Sequence, residues 1–176
     1  METIGIVAVS LDGFITKHQD EGTAFTSEAD KQFFRKVLRE FDCSIFGAKT
    51  FLTSKEGILR HLTPDQLRIV LTRSPERYAA YQQTGLLEFS SRSPEQLLRE
   101  LAQRQKTRCA VLGGGAVYTL FLATPLLDEL WVTLEPRLFG TGKQLITEQG
   151  DVRLSLKSVD PLSHDTLLLK YTVLKP

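Results

Sequence analysis

The chain carries one tryptophan, one methionine, two cysteines and three histidines in 176 residues. Cys43 and Cys109 are too few for the disulfide framework of a small secreted domain. Each stands at the entry to an apolar run, where a small hydrophobe is expected. His18, His61 and His164 are too far apart for a ligand spacing, so no metal site is expected. An excess of one charge is also missing: 22 Lys and Arg face 21 Asp and Glu, a formal net charge of +1. That argues against a dedicated nucleic-acid binder. No apolar run approaches the about 20 residues of a membrane-spanning helix, so no membrane partner is expected. The N-terminus lacks a basic segment leading into an apolar stretch and a small-residue cleavage site, which predicts a cytoplasmic address. Glycine (12) and proline (7) are at ordinary levels and 41% of the chain is hydrophobic. Disordered and fibrous classes are thereby excluded, and one globular domain over 1–176 is expected.

What is present is a repeated change of apolar period. Thr3–Ser10 is nearly all apolar or small and reads as a strand buried on both faces. Ser27–Phe41 reads as an amphipathic helix whose stripe is Ala29, Phe33, Phe34, Val37, Leu38 and Phe41. Short buried strands are predicted at Cys43–Phe46, Arg68–Thr72, Leu86–Ser90 and Cys109–Leu112. Ser93-Pro94-Glu95 opens a helix, with Ser93 as its cap. Ala116–Ala123 is apolar all round and reads as a buried helix. Glu129–Leu134 is a further strand, and Leu154–Val159 and Thr166–Leu174 are close enough to pair antiparallel. Strands and helices alternate, then strands dominate. The expectation is an α/β domain with a mainly parallel sheet and an antiparallel edge.

Five features could carry chemistry. Gly113-Gly114-Gly115 joins a buried strand to a buried helix, where bare backbone and free N–H groups suit an anion. The dinucleotide fingerprint would need glycine at Tyr118, so a tight packing turn is the competing explanation. Gly47-Ala48-Lys49-Thr50 also follows a strand and offers amides, a cation and a hydroxyl to a pyrophosphate. It is no Walker A loop, and a surface lysine in a first helical turn explains it equally. Thr72-Arg73-Ser74 at a strand end suits a phosphate monoester, or is merely a solvated corner. All three follow strands, and the carboxyl ends of parallel strands are where such sheets bind ligands. Asp30 lies on the apolar stripe of its helix, where burial would raise its pKa and fit it to donate a proton. Ser27-x-x-Asp30 is equally a capping box that would occupy the same carboxylate. Asp12-Gly13 reads as a turn after the first strand.

In this order the motifs resemble the dihydrofolate reductase superfamily, and within it the reductase (C-terminal) domain of the riboflavin-biosynthesis deaminase-reductase. The segments that carry the resemblance are Ala8–Thr16, Phe25–Lys36, Ser44–Phe51, Arg68–Ser74, Val111–Leu122 and Glu129–Gly142. The resemblance implies a three-layer α/β fold: a central mixed, mostly parallel twisted sheet, helices on both faces and an antiparallel C-terminal edge. It also implies an NADPH-dependent reductase of a small heterocyclic substrate. Ala8 and Ile15 would flank the nicotinamide, and Gly47, Lys49 and Thr50 would hold the pyrophosphate. Leu71, Thr72 and Arg73 would receive the adenosine end. Gly113, Gly114, Gly115, Ala116 and Val117 would pass beneath the nicotinamide and pyrophosphate, with a cis peptide at Gly113-Gly114. Asp30 and Thr133 would be catalytic and, with Phe34, would bind the substrate. A homodimer through the C-terminal third is implied as well.

Two features depart from the pattern. Arg68 is out of register with the folate-tail arginine, and the ribose-phosphate segment is absent from residues 52–66. Arg60 or His61 would have to substitute for it. The alternatives are a dihydrofolate reductase-type activity, a non-catalytic NADPH-binding module and a purely structural domain.

Overall fold

The computed structural model describes residues 1–20 and 22–175. The elements in chain order are β1 (Glu2–Ser10), α1 (Glu28–Val37), β2 (Cys43–Gly47), α2 (Ala48–Arg60), β3 (Leu67–Leu71), β4 (Leu87–Ser90), α3 (Pro94–Gln103), β5 (Arg108–Val111), α4 (Gly115–Ala123), β6 (Glu129–Glu135), β7 (Leu154–Pro161) and β8 (Leu167–Val173). A 3-10 segment, Pro75–Tyr81, lies between β3 and β4. The eight strands form one sheet in the order β4-β3-β2-β5-β1-β6-β8-β7. The first six are mutually parallel, and β8 and β7 add antiparallel. This is the α/β fold anticipated, with its antiparallel C-terminal edge.

Connection handedness decides the layers. From β1 through β4 the chain steps one way across the sheet, and from β4 through β6 it steps back. Right-handed crossovers therefore put α1, α2 and the 3-10 segment on one face and α3 and α4 on the other. The cores follow. Ile4, Ile6, Val37, Phe41, Trp131 and Leu168 pack under α1. Phe46, Phe51, Val70 and Leu87 pack under α2. Val7, Ile45, Ile69, Leu97, Leu101 and Phe121 pack under α3 and α4. Cys43 and Cys109 are buried register partners on β2 and β5, both free thiols.

Several boundaries differ from the sequence reading. The helix expected over Ser27–Phe41 is α1 followed by a 3-10 turn, Leu38–Glu40, and Phe41 is already extended. Gln66 explains the early end: its Nε2 donates to Leu38 O at 2.5 Å and Phe41 O at 3.4 Å, drawing those carbonyls toward the sheet. Arg108 stacks over the Phe41 ring at 4.7 Å. The 3-10 segment Pro75–Tyr81 has no strong apolar period of its own; Tyr78 and Tyr81 close on Phe51 and Phe89 from outside.

The β7 edge has a bulge between Leu156 and Ser158. The extra residue keeps Leu154, Leu156 and Val159 opposite Val173, Tyr171 and Leu169, so all three share one face. They remain exposed, Leu156 by 55%.

Candidate active site

The carboxyl ends of β3, β2, β5, β1 and β6 lie side by side. At about 4.8 Å per strand, the four steps from β3 to β6 span about 19 Å. Along it stand, in order, Leu71-Thr72-Arg73, Gly47-Ala48-Lys49-Thr50, Gly113-Gly114-Gly115, Ala8 and Thr133. Gly47 is the register partner of Leu71, and Ala8 that of Thr133. Residues as far apart in sequence as Ala8 and Thr133 therefore share one continuous edge.

Two helices begin on this edge without a side-chain cap: α2 after Gly47 and α4 after Gly114. Such uncapped starts suit an anion, although in α4 the Val117 N–H already donates to Gly114 O at 2.9 Å. The two loops are tied together by Gly47 N–H donating to Gly113 O at 2.7 Å. The Gly113-Gly114 peptide is cis, as the resemblance implied.

The three glycines do different work. A Cβ on Gly113 would run into the Tyr118 ring, and its φ is +86°. A Cβ on Gly115 would meet Gln144 O at 2.7 Å and Thr147 Cγ2 at 2.9 Å. Gly114 alone faces space: its nearest neighbour would be Thr50 Oγ1 at 3.6 Å. Close packing thus accounts for Gly113 and Gly115, and the ligand reading rests on Gly114 with Thr50. Gly47 is likewise a packing glycine against Val117, whose side chain is core. Ala116 and Lys49 are exposed at the two helix starts. Ile15 is buried in the core under α4. The Thr72 hydroxyl accepts from Ser74 N–H at 3.3 Å, which shapes the corner that presents exposed Arg73.

At the β6 end, Asp30 is only 9% exposed. Burial pushes its carboxyl above the usual aspartate value; the nearby Thr133 and Thr26 hydroxyls act against the shift, and the nearby Glu135 charge adds to it. The capping alternative is half realised. Ser27 Oγ accepts Asp30 N–H at 3.2 Å, but Ser27 N–H donates to Glu135 Oε1 at 2.9 Å and not to the Asp30 side chain, which has Thr133 and Thr26 near it. Phe34, on the same helix, and Leu112, the residue before the glycines, both pack against the core under α1. A polar cavity of about 400 Å³ opens behind Ser27, lined by Thr26, Glu135, Arg137, Asp165 and Thr166 among others.

Some contributors were not visible in the motifs. Tyr118, where a dinucleotide fingerprint would have glycine, is buried and donates its hydroxyl to Ile6 O; burial pushes its pKa up. Asp12 is more than a turn residue. It accepts from Ser10 Oγ at 2.5 Å, Phe139 N at 2.9 Å and Gly140 N at 2.7 Å, and these bonds hold its carboxyl below the usual range. With Ile15 N to Lys143 O (2.8 Å) and Lys143 N to Thr16 Oγ1 (2.9 Å), it straps residues 139–143 onto the loop after β1. Glu135, two residues beyond Thr133, was also missed, although strand alternation places both on one face.

The candidates for a substrate tail are elsewhere. Arg60 and His61 are exposed at the end of α2. Arg68 is partly buried near the opposite end of β3, where its Nη2 reaches Gln66 Oε1 at 3.4 Å and its Nη1 finds no partner among the described residues. Among the described residues no group of three His, Cys, Asp or Glu could hold a metal, and no helix is long and apolar enough to cross a membrane.

The RibD C-terminal domain family matches residues 4–168. The chain belongs to that family. It is 28% identical over 162 residues to the uncharacterized protein YwjB of Bacillus subtilis (strain 168), covering 89% of each chain. Its fold matches a diaminohydroxyphosphoribosylaminopyrimidine deaminase/5-amino-6-(5-phosphoribosylamino)uracil reductase from Thermotoga maritima (TM-score 0.82, 19% identity), covering 98% of this chain and 56% of that one. A dihydrofolate reductase from Enterococcus faecalis, complexed with NADP(H), matches at TM-score 0.63 and 22% identity, covering 98% and 96%. These neighbours place the chain on a dihydrofolate reductase-like fold.

Proposed function

We propose that this chain is an NADPH-dependent reductase resembling the 5-amino-6-(5-phosphoribosylamino)uracil reductase of riboflavin biosynthesis, which transfers a hydride to a small pyrimidine- or pterin-type substrate, at the heterocycle or, in the riboflavin case, at a ribose Schiff base. One observation carries the reading. A line of anion-suited backbone and side chains along the sheet edge ends at a buried acid, Asp30, beside Thr133 and Ala8.

The residues fit the cofactor. Gly114 leaves room for it beside Thr50, the uncapped starts of α2 and α4 with Lys49 hold its pyrophosphate, and Thr72 with Arg73 takes its 2′-phosphate. When bound, NADPH supplies the hydride. Asp30 keeps its proton to higher pH than an ordinary aspartate and delivers it to the nitrogen of the C=N bond being reduced, which balances the hydride received at its carbon. Thr133 fixes the direction of the Asp30 carboxyl, and Phe34 packs on the ring face. A cytoplasmic setting fits the two buried free thiols. The exposed apolar row on β7 is the surface through which two copies pair.

Titration with NADPH and NADH tests this reading. Trp131 lies two residues before Thr133 on the same strand face, in the core under α1, and reports binding by its fluorescence. The expected result is tight NADPH binding, weaker NADH binding, and loss of that preference in Arg73→Ala. No binding of either, by fluorescence and by calorimetry, refutes it.

A further inference from the structure

A helix opening with Ser and, three residues on, an acid or its amide often closes on itself. The serine accepts the N–H of the third residue, and that residue's side chain accepts the serine N–H. This chain contains its own control. At α3, Ser93 Oγ accepts Gln96 N–H at 3.3 Å and Gln96 Oε1 accepts Ser93 N–H at 3.1 Å, so the box is complete. At α1 the same spacing, Ser27 to Asp30, gives only the first bond.

At α1 the Ser27 N–H is taken by Glu135, from the end of β6. Its Oε1 accepts both Ser27 N–H at 2.9 Å and Ser27 Oγ–H at 3.0 Å. Thr166 Oγ1 donates to the same hydroxyl at 3.4 Å. Ser27 is thereby saturated without the Asp30 side chain. Glu135 is 1% exposed, and its buried charge sits at the positive end of α1.

We propose that Glu135 is a positioning residue for Asp30: by taking the Ser27 N–H from a neighbouring strand, it releases the Asp30 carboxyl from the helix cap and leaves it beside Thr133 and Thr26. The use made of Asp30 rests on the reductase reading; the displacement itself does not. The charged groups that act on Asp30 are Glu135 and Lys31, and they oppose one another.

The test is a carboxyl-carbon NMR titration of Asp30, assigned with Asp30→Asn, in the wild-type chain and in Glu135→Gln and Glu135→Ala. The Gln variant keeps an acceptor for Ser27 N–H. Its Asp30 should stay in the cleft, with a midpoint that falls as the neighbouring charge is lost yet remains above the ordinary aspartate value. In the Ala variant Asp30 should swing back to Ser27 N–H, complete the box and titrate below the ordinary value, because N-terminal amides stabilise the ionised form. Turnover should fall about a hundredfold in the Ala variant, as expected when a reacting group moves by about 1 Å or more, and the Gln variant should recover most of it. Should the Ala variant not fold, Glu135→Asp, which withdraws the carboxylate by one methylene, carries the same expectation as Ala. An Asp30 midpoint that is the same in the Gln variant and in the Ala or Asp variant overturns the proposal. A chain that binds no NADPH refutes the reductase reading while leaving this NMR comparison intact. An active reductase with an unmoved Asp30 titration refutes the positioning role alone.

Discussion

A methyl group added at Gly113 and one added at Gly114 should have opposite consequences. At Gly113 the φ is +86°, and the new Cβ would lie 3.0 Å from Tyr118 Cζ and 3.1 Å from Cδ2. The ring cannot retreat, because its hydroxyl is bound to Ile6 O on the central strand. Left-handed backbone costs an alanine about 1–2 kcal/mol and overpacking about 1–3 kcal/mol, so Gly113→Ala should lose about 2–5 kcal/mol. That is a large part of the about 5–15 kcal/mol of a typical domain. Gly140→Ala is the control: its φ is +71°, with nothing within 4 Å of the added atom. It should lose about 1–2 kcal/mol, the backbone contribution alone. At Gly114 the φ is −66° and the added atom makes an ordinary contact, 3.6 Å from Thr50 Oγ1. Gly114→Ala should change stability by only about 0.5 kcal/mol, yet it fills the space proposed for the cofactor. NADPH affinity should drop about tenfold or more, equivalent to at least about 1.4 kcal/mol. Urea denaturation measures the first quantity and Trp131 fluorescence titration the second. Equal losses for Gly113→Ala and Gly140→Ala would refute the ring-contact argument. Wild-type NADPH affinity in Gly114→Ala would refute the assignment of that space.

Two other substitutions test separate parts of the account. Asp30→Asn should lower turnover about 10²–10⁴-fold while NADPH affinity is retained. It should also stabilise the chain at neutral pH. Burial raises the Asp30 pKa in the folded state, so the folded chain holds more protons than the unfolded one between the ordinary and the raised value, and stability falls as pH rises through that window. The advantage of the Asp30→Asn variant should therefore be full above the window and vanish below it, which urea denaturation at a series of pH values measures. A pH-independent difference contradicts the burial argument. Leu156→Lys should convert the proposed dimer to monomers in sedimentation without loss of fold, since that side chain is 55% exposed on the β7 face; a wild-type chain that sediments as a monomer, or an unaltered profile in the variant, refutes pairing through β7.

Local pattern carried much of this molecule. Thr3–Ser10 is apolar on both faces because β1 is central and covered by helices on both sides. The period-3.6 stripe of α1 was legible because its tertiary partner is a single sheet face. Motifs at strand ends were legible as a set for a topological reason: parallel strands put every following loop on the same edge. Boundaries were less so. The end of α1 depends on Gln66, 28 residues beyond Leu38, and no local signal marks it.

The spacing Ser27-x-x-Asp30 is compatible with a closed cap and with a free acid. Sequence left that choice open because both use the same atoms on the same helix turn. The fold decided it by bringing Glu135, 108 residues away, within hydrogen-bond reach of Ser27. The glycine triplet is a similar case. Its presence after a buried strand was plain, but only Tyr118 on one side and the carbonyl of Gln144 on the other separate the glycines that serve packing from the one that faces open space. Apolar periodicity is a property of neighbours three or four residues apart, and it sets the elements. The protonation of Asp30, the strap at Asp12 and the opening at Gly114 depend on which distant polar groups share a dry, crowded place, and that is settled only when the sheet has assembled.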